Sequence, residues 1–430
     1  MPGPVNFRLH DITGGYNSTD LRHRSYNHHM PRYQPIIAMV TSSFLGGLVA
    51  RAALSMPASS SALLTTSNSY HNETVAAIHT LQRWYDQDTG LWNTTGWWNS
   101  ANCLTMIADY AVERPQSASS LGLPRVIQNT YDEAQKTTVH AVKTINSIGL
   151  PVSAYVKVHD QSDISRRGYA HFLNDYYDDE GWWALALIRT HDVGGFGLGN
   201  EKYLQSAMDI FEDMKGGASK CGGIYWDKAH SYTNAIANEL YLKVAASLAN
   251  RVPAKKKNYY LDIAKKQWTW FNQSGLINSD DLINDGLTSD CKNNGMKTWS
   301  YNQGVILGAL VELAEATADV SFIDKASCIA SSAIAHLNKN GILQDGCEPN
   351  CGADGVQFKG VFMRNLRSLQ QVAPRDEFRD FLITNADSIW THDRNADNEL
   401  GATWNGPYAR ANAGTQSSAL DALVAALAVA

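Results

Sequence analysis

The chain has 430 residues, 44% of them hydrophobic and 12 of them tryptophan, enough to bury a large core in two or three average domains or in one helical barrel. A formal net charge of −6, from 36 basic and 42 acidic side chains, supplies no basic stripe for phosphates or anionic lipids and argues against a nucleic-acid partner. The one compact basic run, Lys255 to Lys257, reads as a solvated face near a helix start.

Residues 1–29 are polar, contain several histidines and lack periodicity, as an upstream start codon or the cytosolic tail of an anchor would give. From Met30 the chain reads as a short basic region with Arg32, an apolar stretch from Ile36 to Ala50, and Ala50-Arg51-Ala52, the pattern of a signal peptide with its cleavage site. The apolar stretch is short and interrupted for a membrane span. The sequence therefore predicts a leader over 1–55, a Ser-rich linker over 56–70 and one helical domain over 71–430, secreted, monomeric and without stable membrane insertion after cleavage. Four N-x-S/T triplets, at Asn17, Asn72, Asn93 and Asn272, fit the secretory route. The C-terminal Ala/Leu segment has no polar spacer and separate greasy tail, which argues against a GPI anchor.

Helical periodicity recurs from there on with almost no alternating β pattern. Candidate helices start near positions 72, 99, 127, 180, 202, 234, 255, 302, 321, 357, 376 and 414, twelve in all. Ile236, Leu240 and Val244 recur at i, i+4, i+8, and Ile306, Leu310 and Leu313 at i, i+4, i+7. The intervening loops, such as His191 to Asn200 and Asn284 to Asn294, are rich in Gly, Asn and Asp. No fixed-length repeat marks a solenoid. Six helical hairpins fit an all-α, (α/α)6 barrel of about twelve helices, whose loops at one end build a wet cleft. Six cysteines allow three disulfides in 15 pairings, and Cys347-x3-Cys351 lacks the second pair that a zinc site needs.

The segment Asn174 to Trp183 packs four acids and four aromatics into ten positions ahead of an apolar run. A retaining glycosidase needs one carboxylate to attack the anomeric carbon and a second carboxyl, roughly 5 Å away, to protonate the leaving oxygen. Adjacent Asp178 and Asp179 at a loop-to-helix junction meet that need if the backbone turns both toward one cleft. The helix N-terminus favours an ionised form and mutual repulsion raises one pKa. The alternative is that Asp178, Asp179 and Glu180 simply occupy a helix start that acids favour.

The run YYDDEGWWALALIR, followed by CGGIYW, TNAIANELYLKVAA, WSYNQGVILGAL and FKGVFMRNL, resembles glycoside hydrolase family 76, the α-1,6-mannanases, from about residue 71 to the C-terminus. The resemblance implies a retaining endo-acting enzyme on an (α/α)6 barrel, without metal or organic cofactor, acting on α-1,6-mannan, with Asp178 as nucleophile and Asp179 as acid/base. A transglycosylase of the same family acting on cell-wall mannan or a GPI glycan, and a non-catalytic mannan-binding wall protein, are the alternatives. The glycine-rich loop from Gly194 to Gly199 departs from the shorter turn of relatives.

Around the pair, Asn174, Trp182, Trp183, Tyr225, Trp226 and Trp404 are candidates for sugar contact, the aromatic ones through flat faces, against the plainer reading of core packing. Asn234 and Asn238 lie one helical turn apart, and their amides need partners that a polyhydroxylated ligand or neighbouring loops would supply. Gln303, Lys359 and Arg364 sit in the resembling motifs, where cross-linking of loops is the plainer role. Asp393-x-Asn395-x-Asp397 begins like a calcium loop, but Asn398 replaces the turn glycine and Trp404 the twelfth-position Glu, so an Asx-rich turn is expected. Gly195, Gly197 and Gly199 follow no strand and make no nucleotide loop, and none of the 13 histidines forms an H-E-x-x-H pair.

Overall fold

Capping residues and helix breakers set many of the boundaries in the computed structural model, which describes residues 59–137, 139–157, 171–194 and 201–430. The leader expected over 1–55, its signal segment, Asn17 and the triad Gly195, Gly197 and Gly199 lie outside the described residues. Pro124 sits in the first turn of its helix, where a missing N–H costs nothing. Asn234 caps another by accepting from Ala237 N at 3.2 Å, and Asn412 with Thr415 forms a capping box on the last.

The helices are α1 (Ser59–Gln82), α2 (Trp97–Glu113), α3 (Pro115–Ser120), α4 (Leu123–Ala134), α5 (Tyr177–Asp192), α6 (Glu201–Met214), α7 (Ala235–Arg251), α8 (Ala254–Gln273), α9 (Ser300–Thr317), α10 (Ser321–His336), α11 (Phe358–Val372), α12 (Asp376–His392) and α13 (Ala413–Val429). Helices α2, α5, α7, α9, α11 and α13 contact one another in that order, and α13 returns to α2 to close a ring. Helices α1, α4, α6, α8, α10 and α12 form the outer layer against it. This is the (α/α)6 barrel, with short α3 as an addition. The inner helices are buried on nearly every face, α13 from Ala413 through Leu427, as an encircled helix must be. Gly304 and Gly360 let the ring close: a Cβ on either would lie 2.6 Å from a backbone Cα, of Phe362 and Ser418 respectively.

Three sequence expectations need correction. Helix α1 begins at Ser59 and runs through the stretch expected as a Ser-rich linker, because its serines and alanines tolerate a helix as readily as a loop. Of three possible disulfides, two form, Cys221–Cys291 and Cys347–Cys351. Cys103 is buried on inner α2 and Cys328 exposed on outer α10, so they stand in different layers.

The third correction bears on function. Besides two-residue pairs β1 (Tyr85–Asp86) with β2 (Leu91–Trp92) and β5 (Asn338–Lys339) with β6 (Ile342–Leu343), the chain forms an antiparallel hairpin of β3 (Val139–Ile145) and β4 (Pro151–Lys157). Its register runs from Val139 opposite Lys157 to Ile145 opposite Pro151. The usual apolar-in, polar-out alternation is inverted here. Val142 and Val152 are exposed on the outer face, while Lys143 is buried and Ser153 and Tyr155 are half-buried on the inner one.

Candidate active site

The residues before α5 fold into a self-braced turn. Asn174 Oδ1 accepts from Tyr176 N at 2.8 Å, its Nδ2 donates to Asp179 Oδ2 at 2.6 Å, and its own N–H donates to Glu180 Oε1 at 3.0 Å. The turn divides the three acids of the first helical turn between two lysines. Glu180 leaves the site and pairs with Lys228 at 2.7 Å, the ordinary fate of an acid at a helix start. Asp178 lines a cleft at the mouth of the barrel, and Asp179 is wholly enclosed beside it.

Lys143 from β3 reaches both carboxylates. Its Nζ lies 2.8 Å from Asp178 Oδ2 and ion-pairs with Asp179 Oδ1, over the rings of Tyr176 (5.0 Å) and Trp226 (5.6 Å). Its backbone N–H donates to the Tyr176 hydroxyl at 3.0 Å, and the Tyr155 hydroxyl donates to Asp179 Oδ2 at 3.2 Å. Burial lifts the Asp179 carboxyl, Lys143 pulls it down and the Asp178 charge raises it again, leaving it near neutrality at about 7. Burial disfavours charge on Lys143, but the two carboxylates outweigh it and hold the ammonium above its ordinary value.

Inner helices α2, α5, α7, α9 and α11 present their N-terminal residues here: Trp98, Asp178, Asn234, Tyr301 and Phe358 all line the cleft. Their partial positive ends favour ionised carboxylates at this mouth. Trp98 stacks on Trp182 with centroids 5.5 Å apart, and its Nε1 donates to Asp354 Oδ1 at 2.9 Å. Across the cleft Tyr232 donates to Asp285 Oδ2 at 2.7 Å, and burial pushes the Asp285 carboxyl up to about 6. Flat aromatic faces beside carboxylates and an ammonium suit a polyhydroxylated ring. Among the described residues, no three His, Cys, Asp or Glu side chains cluster as metal ligands.

The structure brings Asn174, Asp178, Asp179, Trp182, Trp226 and Asn234 together and leaves the remaining candidates elsewhere. Trp183 is fully buried between Trp97 and Phe172, because it sits about 100° round α5 from Trp182. Tyr225 stacks on His230 outside the cleft. Asn238 is saturated by Ile224 N and O, Asn234 O and Gln267 Nε2. Gln303 pins the backbone of Ile283 through both amide atoms (2.8 and 2.9 Å) and so holds the loop that carries Asp285. Lys359 donates to Ala402 O, pairs with Glu348 at 2.8 Å and sits 4.4 Å over buried Trp404. Arg364 lines a second cavity, at the opposite end of the inner helices, with Asn102 as its partner and Asp421 at 3.8 Å. The 393–397 segment is an Asx turn in which Asn395 Oδ1 accepts from Asp397 N and Glu399 N at 3.0 and 2.9 Å.

Sequence reasoning missed Lys143, Tyr155, Trp98, Asp285, Tyr301 and Asp354. For Asp285 the signal was present, an acid in a loop between helices, but nothing local separates it from its Asn- and Asp-rich neighbours. For Lys143 it required recognising the inverted hairpin.

A closed ring of helix pairs with paired carboxylates at the helix N-termini defines a glycoside-hydrolase type of site. The chain belongs to glycosyl hydrolase family 76, whose model matches residues 67–430. It is 26% identical over 283 residues to the mannan endo-1,6-alpha-mannosidase DFG5 of Candida albicans, covering 58% of this chain and 60% of that protein. With the DFG5 enzyme of Saccharomyces cerevisiae it shares 25% over 231 residues, 49% of this chain and 50% of the relative. The match thus spans only part of the length of these curated relatives. Among solved structures, an α-1,6-mannanase of Salegentibacter sp. HEL1_6, in an inactive variant with two adjacent aspartates replaced by asparagine and in complex with α-1,6-mannotriose, superposes with a TM-score of 0.68 at 20% identity, over 84% of this chain and 100% of that one. Dfg5 from Chaetomium thermophilum in complex with glucosamine gives a TM-score of 0.66 at 17% identity, over 84% and 90%. These likenesses establish the fold.

Proposed function

We propose that the chain is a secreted, monomeric, retaining endo-α-1,6-mannanase, acting in or near the cell wall through its domain at 71–430. The observation that carries this reading is the buried Asp178–Asp179 pair in an aromatic-lined cleft at the mouth of the barrel. Asp178, the member that faces the cleft, attacks the anomeric carbon. Asp179, raised toward neutrality, gives its proton to the departing O6. The bond from C1 to O6 breaks as the bond from C1 to Asp178 forms. Water, deprotonated by Asp179, then attacks C1, expels the Asp178 carboxylate and restores the α configuration. The family, the naming of the fungal relatives as mannan endo-1,6-alpha-mannosidases, and the inactive Salegentibacter variant with an adjacent aspartate pair replaced all support this assignment. Asn72, Asn93 and Asn272 are all exposed, as glycosylated sequons in a secreted protein need to be.

The test is incubation with unbranched α-1,6-mannan, following fragments and the anomeric configuration of the newly formed ends by proton NMR. Internal cleavage with first-formed α-anomers supports the reading. First-formed β-anomers overturn retention, and binding without cleavage identifies a wall-binding protein.

A further inference from the structure

The place beside Asp178 that a mannosyl ring has to occupy is filled by the protein itself. The space left open in the cleft is about 10 Å³, room for a single water. On one side it is closed by Lys143, Ile145, Pro151 and Ser153 of the hairpin. Strands β3 and β4 pair with each other; Leu150 at their turn and Tyr155 on β4 pack against the core, and around the carboxylates polar contacts tie the hairpin to the helical ring. Ser153 N–H donates to Asp354 Oδ2 at 2.6 Å, Ala141 N–H to Asp175 Oδ2 at 3.2 Å, and Lys143 Nζ reaches the carboxylate pair. On the outward face Val142 is 58% and Ile148 44% exposed, while half-buried His140 lies 3.2 Å from Asp175 Oδ2. The polar contacts around the carboxylates are ones that sugar hydroxyls can replace while Leu150 keeps the turn of the hairpin anchored in the core.

We propose that Lys143 is a placeholder cation: the hairpin holds its ammonium between Asp178 and Asp179 while the cleft is empty, and an entering mannosyl unit displaces it. The proposal rests on the reading of the cleft as an α-1,6-mannoside site and deepens it. Lys143 faces Asp178 and Asp179 from α5, Asp354 ahead of α11, the hydroxyls of Tyr176 and Tyr155, and the ring of Trp226, with Asp285 near Asp178. With the ammonium in place the Asp179 carboxyl sits at about 7 and is largely charged at pH 8. Once it leaves, two like charges remain in an enclosed site, and one takes up a proton from solvent. Asp179, the more enclosed, is that one, so substrate entry itself loads the general acid. Lys143 is a positioning residue in this scheme and takes no part in bond breaking.

Calorimetric titration of the whole secreted protein with a sulfur-linked α-1,6-mannotriose, which is not cleaved, tests this at pH 8 in two buffers of different ionisation enthalpy. The parent should take up close to one proton per ligand bound. Lys143→Met should take up almost none and bind about tenfold tighter, since no closed state competes with ligand. Lys143→Arg should keep the uptake. In the unsubstituted parent, amide hydrogen exchange at Ala141, Lys143 and Ser153 should quicken when the ligand is bound. Absence of proton uptake in the parent, equal uptake in Lys143→Met, or slower exchange across the hairpin would overturn the proposal. Failure of both parent and Lys143→Met to bind would instead remove the α-1,6-mannoside reading, and this inference with it. Binding by Lys143→Met alone would support the placeholder.

Discussion

Asn174 donates from Nδ2 to Oδ2 of Asp179 at 2.6 Å, across five residues of chain, so the loop that enters α5 also aims the more buried of the two carboxylates. That bond favours the charged form of Asp179 and opposes its burial. Asn174→Ala removes the donor, so Asp179 holds its proton to higher pH. The alkaline limb of kcat/KM should move upward, while kcat falls about 10- to 100-fold from lost orientation. A pH–rate profile checks this, and an alkaline limb that stays in place would contradict it.

The stacked Trp98 and Trp182 form one aromatic wall of the cleft. Trp98→Ala removes one ring and the hydrogen bond to Asp354. KM for α-1,6-mannotriose should rise about tenfold, the worth of one aromatic contact, with a smaller change in kcat. An unchanged KM would show that the sugar does not use this face.

Buried carboxyls give the fold a definite pH dependence. Burial raises Asp285 and Asp345 to about 6, Asp179 and Asp421 to about 7, and Asp393 to about 8, whereas each titrates near 4 in an unfolded chain. Between about pH 4 and 8 the native protein therefore binds more protons than the unfolded one, and stability falls as pH rises. Asp109 and Glu312, held low by Arg367 and Arg251, act in the opposite sense below about pH 4. The thermal midpoint should thus be several degrees higher at pH 5 than at pH 8. A midpoint that climbs over that interval would contradict the burial assignments.

The Cys221–Cys291 bridge closes a span of 70 residues and ties the segment leading to Trp226 to the loop leading from Asp285. Chain-entropy loss in the unfolded state makes such a bridge worth about 4 kcal/mol. Replacing both cysteines by serine should lower the thermal midpoint by roughly 5 °C and raise KM, since both walls of the cleft loosen. A lowered midpoint with KM unchanged would place the bridge in stability alone.

The barrel was legible because an encircled inner helix is apolar on most faces and an outer one on a stripe, and both leave a helical period in the sequence. Eleven of the twelve expected starts lie within four residues of an observed helix, and the exception, α1, begins at Ser59 because no breaker interrupts its serines. Asp178 and Asp179 were legible as adjacent acids amid aromatics at a helix start. Lys143 was not, since its strand points the lysine inward and valine outward, the reverse of the pattern that reveals a strand. Trp183, Trp404 and Gln303 show the converse limit. Flat faces marked the two tryptophans as candidates and a place in a family motif marked Gln303, but burial assigns them to packing and to bracing loops, and sequence alone does not separate a Trp that faces a sugar from one that faces another helix.

The most direct measurement on the central claim is trapping with a 2-fluoro-mannosyl donor bearing a good leaving group, followed by peptide mass mapping. The account predicts one fluoromannosyl unit per chain, esterified to Asp178, with no labelling of Asp178→Asn. A label on Asp179, or cleavage of α-1,6-mannan that proceeds with β-anomers released first and no covalent adduct, would contradict it.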